Sequence, residues 1–499
     1  MKTLIRTDAV VTTQQGKVLG IIIDGVNTFR GIPYAAPPFG VNRLRPPQPA
    51  EAWTGVREAL AYGAIPPQSP YPPPFDLLIP EAGDIGEDCL NLNVWSPDLE
   101  ATGLPVMVYI PGGMYEAGSG GTYDGSRFAR DGVVCVTINY RVGAEGFLYL
   151  GEGNANRGLL DQVAALEWVQ ENIAAFGGDP GNVTIFGESA GAMSVGTLLS
   201  MPRAEGLFRR AILQSGGAHQ VMSAASALQV RRCLADQLGV DATREAIAEV
   251  PVARLLEVQA MFRADLISHP DPEQLGTEVG ISGLPWQPTI DGDVVPGRPI
   301  DRIAAGASAG IDVMSGSNLE ESNFFLVPSG TIDQIPAEAL AGAIAAYGLP
   351  VETALTTYRA ERPGASAGEL LSGVQGDWLF RIPALRLAEA HAASPAATYL
   401  YEFAWRSPSF SGRLGACHGL DVPFVFDLLP DRTDPLLGSD PPQRLADAMH
   451  SAWVKFATSG DPGWPAYDVS RRATMRFDAE PEIVYDPQSA QRSLWEGVR

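Results

Sequence analysis

The sequence VTIFGESAG, residues 183–191, decides the fold of this chain. Its first half is β-branched and aromatic, which predicts a short strand, and the apolar run after it predicts a helix. Ser189 stands between Gly187 and Gly191, where the two elements meet. Because glycine has no Cβ, the pair permits a sharp strand–turn–helix connection with a serine at its tip.

This turn predicts a nucleophilic role for Ser189, because it projects the hydroxyl into a cleft. It also leaves the backbone N–H of Ala190 at a helix N-terminus, where the helix dipole favours negative charge. A bare G-x-S-x-G pentapeptide is a weak signal in a chain with 54 glycines among 499 residues. The strand before it and the helix after it make the signal specific.

Strand-like and helical runs alternate along the chain, which is typical of an α/β fold with a mostly parallel sheet and helices on both faces. Residues 17–32 predict a small N-terminal antiparallel sheet, and the proline-rich segment 33–80 predicts loops. Further strands are expected over 90–95, 106–110, 133–139, 183–186, 211–214, 311–316 and 397–404, and helices over 160–176, 222–275, 332–395 and 442–458. We expect one domain over 1–499, with helical insertions at 222–310 and 332–395 over the carboxyl ends of the strands, where ligands bind.

Composition and charge exclude several functional classes. The 58 acidic and 35 basic residues give a net charge of −23, which phosphate backbones repel, so no nucleic-acid partner is expected. Met1–Val10 lacks an apolar run, and no stretch of about 18 apolar residues occurs, so we expect neither a signal peptide nor a membrane span. The four cysteines form no C-x-x-C pair and suit a reducing, cytoplasmic compartment. The five histidines form no ligand cluster, so no metal or other cofactor is expected.

A serine nucleophile needs a base, and the base needs an orienting acid. With the serine on such a turn, the acid and then the histidine follow it along the chain. His219 and His269 follow the serine too closely to leave room for an intervening acid, and His391 and His450 lie in helical patterns. His418 lies in the patternless loop 415–419, just before an apolar run, and is therefore the candidate base.

The acid and the oxyanion donors are less evident. Glu320 and Glu321 follow a strand-like run and precede two phenylalanines, and either carboxylate suits the role, although a pair of solvated loop glutamates has the same pattern. At the end of another strand-like run, Gly112 and Gly113 allow the backbone to turn its N–H groups toward a developing oxyanion.

The chain resembles the type-B carboxylesterases, in the cholinesterase-like branch of the α/β-hydrolases, and most of all the bacterial para-nitrobenzyl-esterase group. Five motifs beyond the serine turn carry the resemblance over nearly the whole length: FRGIPYA at 29–35, EDCLNLNV at 87–94, NYR at 139–141, GLLDQ at 158–162 and GGDPGN at 177–182. The resemblance implies an α/β-hydrolase fold and carboxylic-ester hydrolysis through an acyl-enzyme, on short-acyl or aromatic esters. Its implied partners are the ester and water, with no cofactor, and a monomer is favoured.

The resemblance also implies roles for individual residues. It implies Ser189 as nucleophile, Glu321 rather than Glu320 as acid, and His418 as base. It further implies three oxyanion donors, Gly113, Met114 and Ala190, and two structural ion pairs, Arg45 with Glu87 and Arg141 with Asp161. The same machinery would serve a carbamate or amide hydrolase, and some relatives of this fold are non-catalytic binding proteins.

The chain departs from the family pattern at several positions. Pro111 replaces a histidine or tyrosine before the glycine pair and stiffens that loop. Met114 stands where glycine or alanine is common, so we expect a reshaped acyl side of the site. The cysteine that pairs with the Cys89 position in secreted relatives is absent, and the loop 68–80 lacks the tryptophan that would bind a quaternary ammonium.

Overall fold

The computed structural model describes residues 5–79, 83–151, 153–269, 271–430 and 433–499. The chain folds as two units. The first takes in the described residues of Met1–Pro70, Glu81–Ala211 and His219–Arg302, and the second those of Tyr71–Pro80, Ile212–Ala218 and Ile303–Arg499. The expectation of one domain over 1–499 stays a prediction.

The first unit is built on a sheet that changes from antiparallel to parallel. Its strands are β1 (Ile5–Thr12), β2 (Lys17–Ile23), β3 (Val26–Pro33), β4 (Val56–Glu58), β5 (Asn91–Ser96), β6 (Leu104–Ile110), β7 (Val134–Ile138) and β8 (Gly178–Glu188). The order is β1-β2-β3-β5-β7-β6-β8, with β4 beside β2. The predicted N-terminal antiparallel strands are confirmed, and β3 pairs antiparallel with β5, so they continue into the larger sheet. Strands β7, β6 and β8 are parallel.

The strands in the middle of this sheet are buried throughout. Every residue is buried in β7, which is parallel to β6, and in β5, which pairs with β7 antiparallel, as strands covered on both faces require. Strand β9 (Arg210–Gln214) begins in the first unit and ends in the second, and β10 (Met222–Ser223) and β11 (Thr289–Ile290) form a separate parallel pair. The helices are α1 (Ser126–Arg130), α2 (Gly143–Phe147), α3 (Arg157–Asn172), α4 (Ala190–Leu198), α5 (Ala224–Leu238), α6 (Arg244–Ala248), α7 (Val252–Ser268), α8 (Pro272–Leu275), α9 (Thr277–Ser282) and α10 (Pro299–Ala304), the last of which ends in the second unit.

The second unit also contains strands and helices. Its strands are β12 (Asp312–Asn318), β13 (Thr398–Phe403), β14 (Ala473–Phe477) and β15 (Glu482–Tyr485), in that order, with only the last one antiparallel. Its helices are α11 (Asn323–Leu326), α12 (Ala337–Ala346), α13 (Val351–Glu361), α14 (Ala367–Gly376), α15 (Ile382–His391), α16 (Val422–Val425), α17 (Gln443–Ser459) and α18 (Ser489–Leu494). A π-helical turn, Asp377–Arg381, joins α14 to α15.

Among the described residues no single helix is long and apolar enough to cross a membrane, and α12 and α13, which meet at a bend of 114°, have the length and composition for it only as a pair. Within the same residues no group of three or more histidine, cysteine or acidic side chains is arranged to hold a metal ion. The four cysteines are free thiols, three of them buried: Cys89, Cys135 and Cys417.

A buried ion pair lies beneath the loops of the first unit. Arg141 binds both carboxylate oxygens of Asp161, at 2.8 and 2.7 Å, and neither side chain is more than 1% exposed. Close by, burial and the charge of Arg141 lower the pKa of Arg157 to about 9, and Arg157 donates only to backbone carbonyl oxygens. The Arg141–Asp161 pair expected from the resemblance is therefore confirmed.

The second expected pair is wrong. Arg45 and Glu87 are both exposed, and no contact joins them in the described part of the chain. Arg43 instead forms the neighbouring buried pair, with Glu145 at 2.7 Å, while Arg45 contributes its carbonyl oxygen to Arg141. The chain turns at Leu44, which has a positive φ of 56°, and Arg43 is the residue whose side chain is buried there.

Asp161→Asn should destabilise the protein by about 3–5 kcal/mol, because it leaves the buried charge of Arg141 uncompensated beside Arg157. The free energy of unfolding from urea titration measures this. Asp293→Asn is the matched control, since the Arg203–Asp293 pair is more than half exposed and its loss should cost at most about 1 kcal/mol. Equal losses in the two variants would contradict the prediction.

Candidate active site

Ser189 occupies a strained turn between β8 and α4. Its backbone has φ 57° and ψ −125°, a conformation that side-chain-bearing residues rarely adopt, and the residue is 8% exposed. Such strain costs about 1–3 kcal/mol and persists only where surrounding structure enforces it. The strand–turn–helix arrangement predicted from the sequence is confirmed, with α4 beginning directly at Ala190.

The two glycines of the motif meet a backbone that leaves them no room. A Cβ on Gly191 would lie 2.0 Å from the carbonyl oxygen of Ile110 at the end of β6. A Cβ on Gly187 would lie 2.6 Å from the carbonyl carbon of Gly191 and 2.7 Å from the same Ile110 oxygen. Helix α4 can approach β6 this closely only without those side chains, so the packing itself forces the turn at Ser189.

A second strained turn follows β6. Gly113, Met114 and Tyr115 have positive φ angles of 122°, 58° and 62°, and the amides of Glu116 and Ala117 donate back to the Gly113 carbonyl oxygen at 2.9 and 3.0 Å. We call Gly113–Ala117 the glycine turn. A Cβ on the preceding Gly112 would lie 3.0 Å from the Cβ of Ser189, so this backbone approaches the serine closely.

Three amides beside the serine have no protein acceptor. In the part of the chain that the structure describes, the N–H groups of Gly113, Met114 and Ala190 donate to no protein atom. All three belong to the first unit, as does Ser189. Backbone N–H groups left unused next to a serine hydroxyl are suited to stabilise an oxyanion formed on an attacked carbonyl.

Pro111 and Met114, where the chain departs from the family pattern, each accept a hydrogen bond from another residue. The Pro111 carbonyl oxygen accepts a 2.7 Å hydrogen bond from the Tyr140 hydroxyl, which fixes the loop from behind. The Met114 side chain is half-buried, and its Sδ accepts from Arg263 Nη2 at 2.9 Å. The Met114 thioether therefore reaches α7 of the helical segment 222–310.

The candidate base and acid form a buried pair in the second unit. His418 Nδ1 donates to Glu321 Oε2 at 2.7 Å, and the side chains are 8% and 1% exposed. The other carboxylate oxygen of Glu321 accepts from the backbone N–H of Asn318 at 2.7 Å. With Nδ1 protonated by this contact, Nε2 of the neutral imidazole is the nitrogen free to accept a proton.

Glu320, the alternative acid, faces elsewhere. Its carboxylate pairs with Arg406 and accepts from the backbone N–H of Ala416 at 2.9 Å. The side chain is only 10% exposed, so it is not the solvated loop glutamate that the sequence pattern allowed. Glu320 anchors the histidine loop, whereas Glu321 contacts the imidazole.

Aromatic rings enclose His418. Phe380 has its ring centroid 4.3 Å from that of the imidazole, and Phe325 lies at 5.3 Å. Phe380 belongs to the π-helical turn. Tyr358 holds this turn in place: the Tyr358 hydroxyl donates to Asp377 and accepts from Trp495 Nε1 at 3.0 Å. The rings pack against the imidazole and restrict its rotation.

Sequence reasoning missed Phe380 and a buried acid, Asp421. Asp421 accepts from Gln214 Nε2 at 2.9 Å and from Asn318 Nδ2 at 3.2 Å, and Asn318 also donates to the Cys417 carbonyl oxygen. Burial, together with the charge of Glu321, raises the pKa of Asp421. The spacing of Asp421 three residues after the candidate histidine is a usable signal, but nothing marks Phe380, which lies in a helical pattern.

His391, His450 and Cys417 are buried and engaged elsewhere, so they do not compete for the role of base or nucleophile. His391 Nδ1 contacts Thr398 Oγ1 at 2.8 Å, His450 Nδ1 donates to the Val425 carbonyl oxygen at 2.7 Å, and both side chains are buried. Burial lowers the pKa of His391. Burial also raises the pKa of the Cys417 thiol well above its usual value, which makes it inert as a nucleophile.

Each of the two units thus holds one group of candidate residues. One holds Ser189 with the N–H groups of Gly113, Met114 and Ala190, and the other holds His418 with Glu321. A strained serine followed by a helix N-terminus, on a sheet that alternates with helices, defines an α/β-hydrolase. The fold class predicted from the sequence is confirmed by solved structures of this class, which match 98% of the chain.

The chain belongs to the Carboxylesterase family, whose profile matches residues 7–495, and it is a carboxylic-ester hydrolase. It is 38% identical to para-nitrobenzyl esterase of Bacillus subtilis, over 97% of this chain and 98% of that protein. It is 35% identical to phenmedipham hydrolase of Pseudarthrobacter oxydans, over 94% and 95% of the two chains. The crystal structure of Geobacillus stearothermophilus carboxylesterase EST55 is similar at a TM-score of 0.85 and 37% identity, over 98% of this chain and 100% of that one.

Glu321→Gln should lower kcat by about 10³–10⁴-fold, because the amide cannot hold the imidazole tautomer or stabilise the imidazolium. Glu320→Gln should lower it by about tenfold or less, since the amide oxygen still accepts from Ala416 and the lost ion pair is largely exposed on the arginine side. Steady-state kinetics of both variants, with thermal unfolding as the control for folding, measure this. The reverse ranking would identify Glu320 as the acid.

Proposed function

We propose that Ser189, His418 and Glu321 act as one catalytic triad through an acyl-enzyme. His418 accepts the Ser189 proton, the serine oxygen attacks the ester carbonyl, and the alcohol leaves with the proton from His418. Water, deprotonated by the same imidazole, then releases the acid. Glu321 holds the imidazole tautomer and stabilises the imidazolium in both steps. The 2.7 Å contact of Glu321 with His418 is the observation that carries the proposal.

The oxyanion donors we propose are the N–H groups of Gly113, Met114 and Ala190. Their support is the lack of any protein acceptor in the described residues, combined with the backbone strain that turns them beside Ser189. Fixed donors stabilise charge that appears only in the transition state, and removing one such donor typically costs about 10²–10³ in kcat.

We propose small esters as substrates and a bacterial, cytoplasmic, monomeric enzyme that uses no cofactor. The identity to a para-nitrobenzyl esterase supports para-nitrobenzyl esters as test substrates. The free, buried thiols of Cys89, Cys135 and Cys417 suit a reducing compartment, and the net charge of −23 disfavours nucleic acid.

A second candidate activity follows from the similarity to phenmedipham hydrolase, which is 35% identical. The same triad would serve a carbamate or amide bond. Turnover of phenmedipham, compared with that of a para-nitrobenzyl ester and of a matched amide, ranks the three activities, and loss of all of them in one serine variant would show that they share a site.

Ser189→Ala should reduce ester turnover below about a thousandth of the parent rate, because the remaining donors alone give limited acceleration over water. An organophosphate should phosphorylate the Ser189 oxygen and release its leaving group, which mass spectrometry of the active-site peptide detects. Ser215→Ala, at another buried serine with positive φ, is the control and should still be labelled. Labelling that persists in Ser189→Ala would contradict the assignment.

Met114→Ala should improve longer acyl esters relative to acetyl esters, and the parent should prefer short acyl groups, in the range from acetyl to butyryl, with activity falling as the chain lengthens. Methionine fills more space than alanine beside the proposed donors, and one methylene of misfit is worth roughly 1–3 kcal/mol of discrimination. Specificity constants over an acyl series for both forms measure this. An unchanged profile with a lower melting temperature would mean that Met114 only fills space.

A further inference from the structure

Helix α7 carries two polar side chains that contact loops of the first unit, one through a backbone amide and one through side chains of the glycine turn. Gln259 and Arg263 lie four residues apart and therefore project from the same face of the helix. Gln259 is 8% exposed, and its Oε1 accepts from the backbone N–H of Ala144 at 2.6 Å. Polar groups buried on one face of a surface helix are costly unless they are paired, so this face is built for contact with loops.

Arg263 contacts the glycine turn at the residues before and after Tyr115. Its Nη1 pairs with Glu116 Oε1 at 3.0 Å, and its Nη2 donates to Met114 Sδ at 2.9 Å. The arginine and glutamate side chains are each 22% exposed, so solvent screens the pair only in part. Burial raises the pKa of Glu116, and the arginine charge opposes that rise. Nη1 also donates to the Gly283 carbonyl oxygen at 3.4 Å, so the planar guanidinium is itself held in place where it contacts Met114 and Glu116.

The segment between these contacts is strained. Met114 and Tyr115 both adopt the left-handed region without being glycine, which costs about 1–2 kcal/mol per residue. The Tyr115 carbonyl oxygen accepts from the Gly143 N–H at 2.6 Å, next to the residue that Gln259 holds. The strained turn is therefore fastened at Met114, Tyr115 and Glu116, and two of these contacts come from one arginine.

We propose that Arg263 is a positioning residue for the oxyanion donors: it holds the glycine turn in the shape that presents the Gly113 and Met114 N–H groups. The proposal rests on the proposed function of those donors. It also accounts for the methionine at 114, because glycine or alanine there has no atom that the guanidinium could hold. Arg263 acts through the turn and does not itself contact the reacting atoms.

The test compares Arg263→Met with the control Arg254→Met, which breaks an exposed pair with Glu257 on the same helix. Loosening the turn should lower kcat for a para-nitrobenzyl ester by about ten- to a hundredfold and leave KM within about threefold, since the donors act mainly in the transition state. Arg254→Met should change neither constant. Thermal unfolding reports the stability of each variant.

A thionoester supplies a readout that a purely structural role would not change. Its tetrahedral intermediate carries charge on sulfur, a poorer hydrogen-bond acceptor, so the rate ratio of oxygen ester to thionoester reports how well the donors are placed. Arg263→Met should reduce this ratio about tenfold, and Arg263→Lys should restore part of it through the charge. Glu116→Ala removes the ion pair without changing α7, and it decides the question if Arg263→Met is too unstable to purify.

An unchanged ratio in Arg263→Met, or in Glu116→Ala where that variant decides, would overturn the proposal, as would equal losses for both ester types. Failure of the proposed function looks different. In that case Ser189→Ala retains turnover, or the parent enzyme itself shows no preference for the oxygen ester.

Discussion

The close approach of Gly191 to the carbonyl oxygen of Ile110 is the constraint on which the site depends. It presses the start of α4 against the end of β6, and the chain can make that approach only by passing through a disfavoured backbone conformation at Ser189. The strain is local, but every residue of α4, and of β8 from Val183 onward, is buried. The position of the serine is thus set by packing rather than by hydrogen bonds to its side chain.

The acid–base pair is held by a different kind of constraint. Glu321 and His418 are joined twice, through the carboxylate–imidazole contact and through a 3.2 Å bond from the His418 N–H to the Glu321 carbonyl oxygen. Asn318 then donates to the Glu321 carboxylate through its backbone and to the histidine loop through its side chain. Every one of these bonds has a fixed direction, so the imidazole keeps one tautomer and one orientation. Phe380, which packs beside the pair, limits the space around the imidazole but carries no charge.

Much of this was readable from the sequence, because the relevant signals are local. The turn at Ser189, the strands before it and the unpatterned loop around His418 each leave a mark within a few residues. The choice between Glu320 and Glu321 was not readable from the residues alone, since it depends on which way two adjacent side chains point after a strand ends. Likewise, the turn at Leu44 buries the side chain of Arg43 and leaves that of Arg45 exposed, which the residues alone did not indicate. The short strands β14 and β15 escaped prediction, since β15 is mostly exposed and has no alternation.

The two kinds of constraint differ in how much change they tolerate. A side chain at Gly187 or Gly191 would collide with backbone atoms, which cannot move without disrupting the sheet, so this part of the site admits no variation. The glycine turn is fixed instead by the side chain of Arg263 and by the bond from Gly143 to Tyr115, beside the Ala144 amide that Gln259 holds. Side-chain contacts of this kind can be replaced one residue at a time without moving the backbone of the sheet. A chain only 37% identical to a solved carboxylesterase can therefore keep the same fold, at a TM-score of 0.85. We therefore expect the substrate range of related chains to vary with the side chains that hold the glycine turn, whereas the position of the nucleophile should not vary.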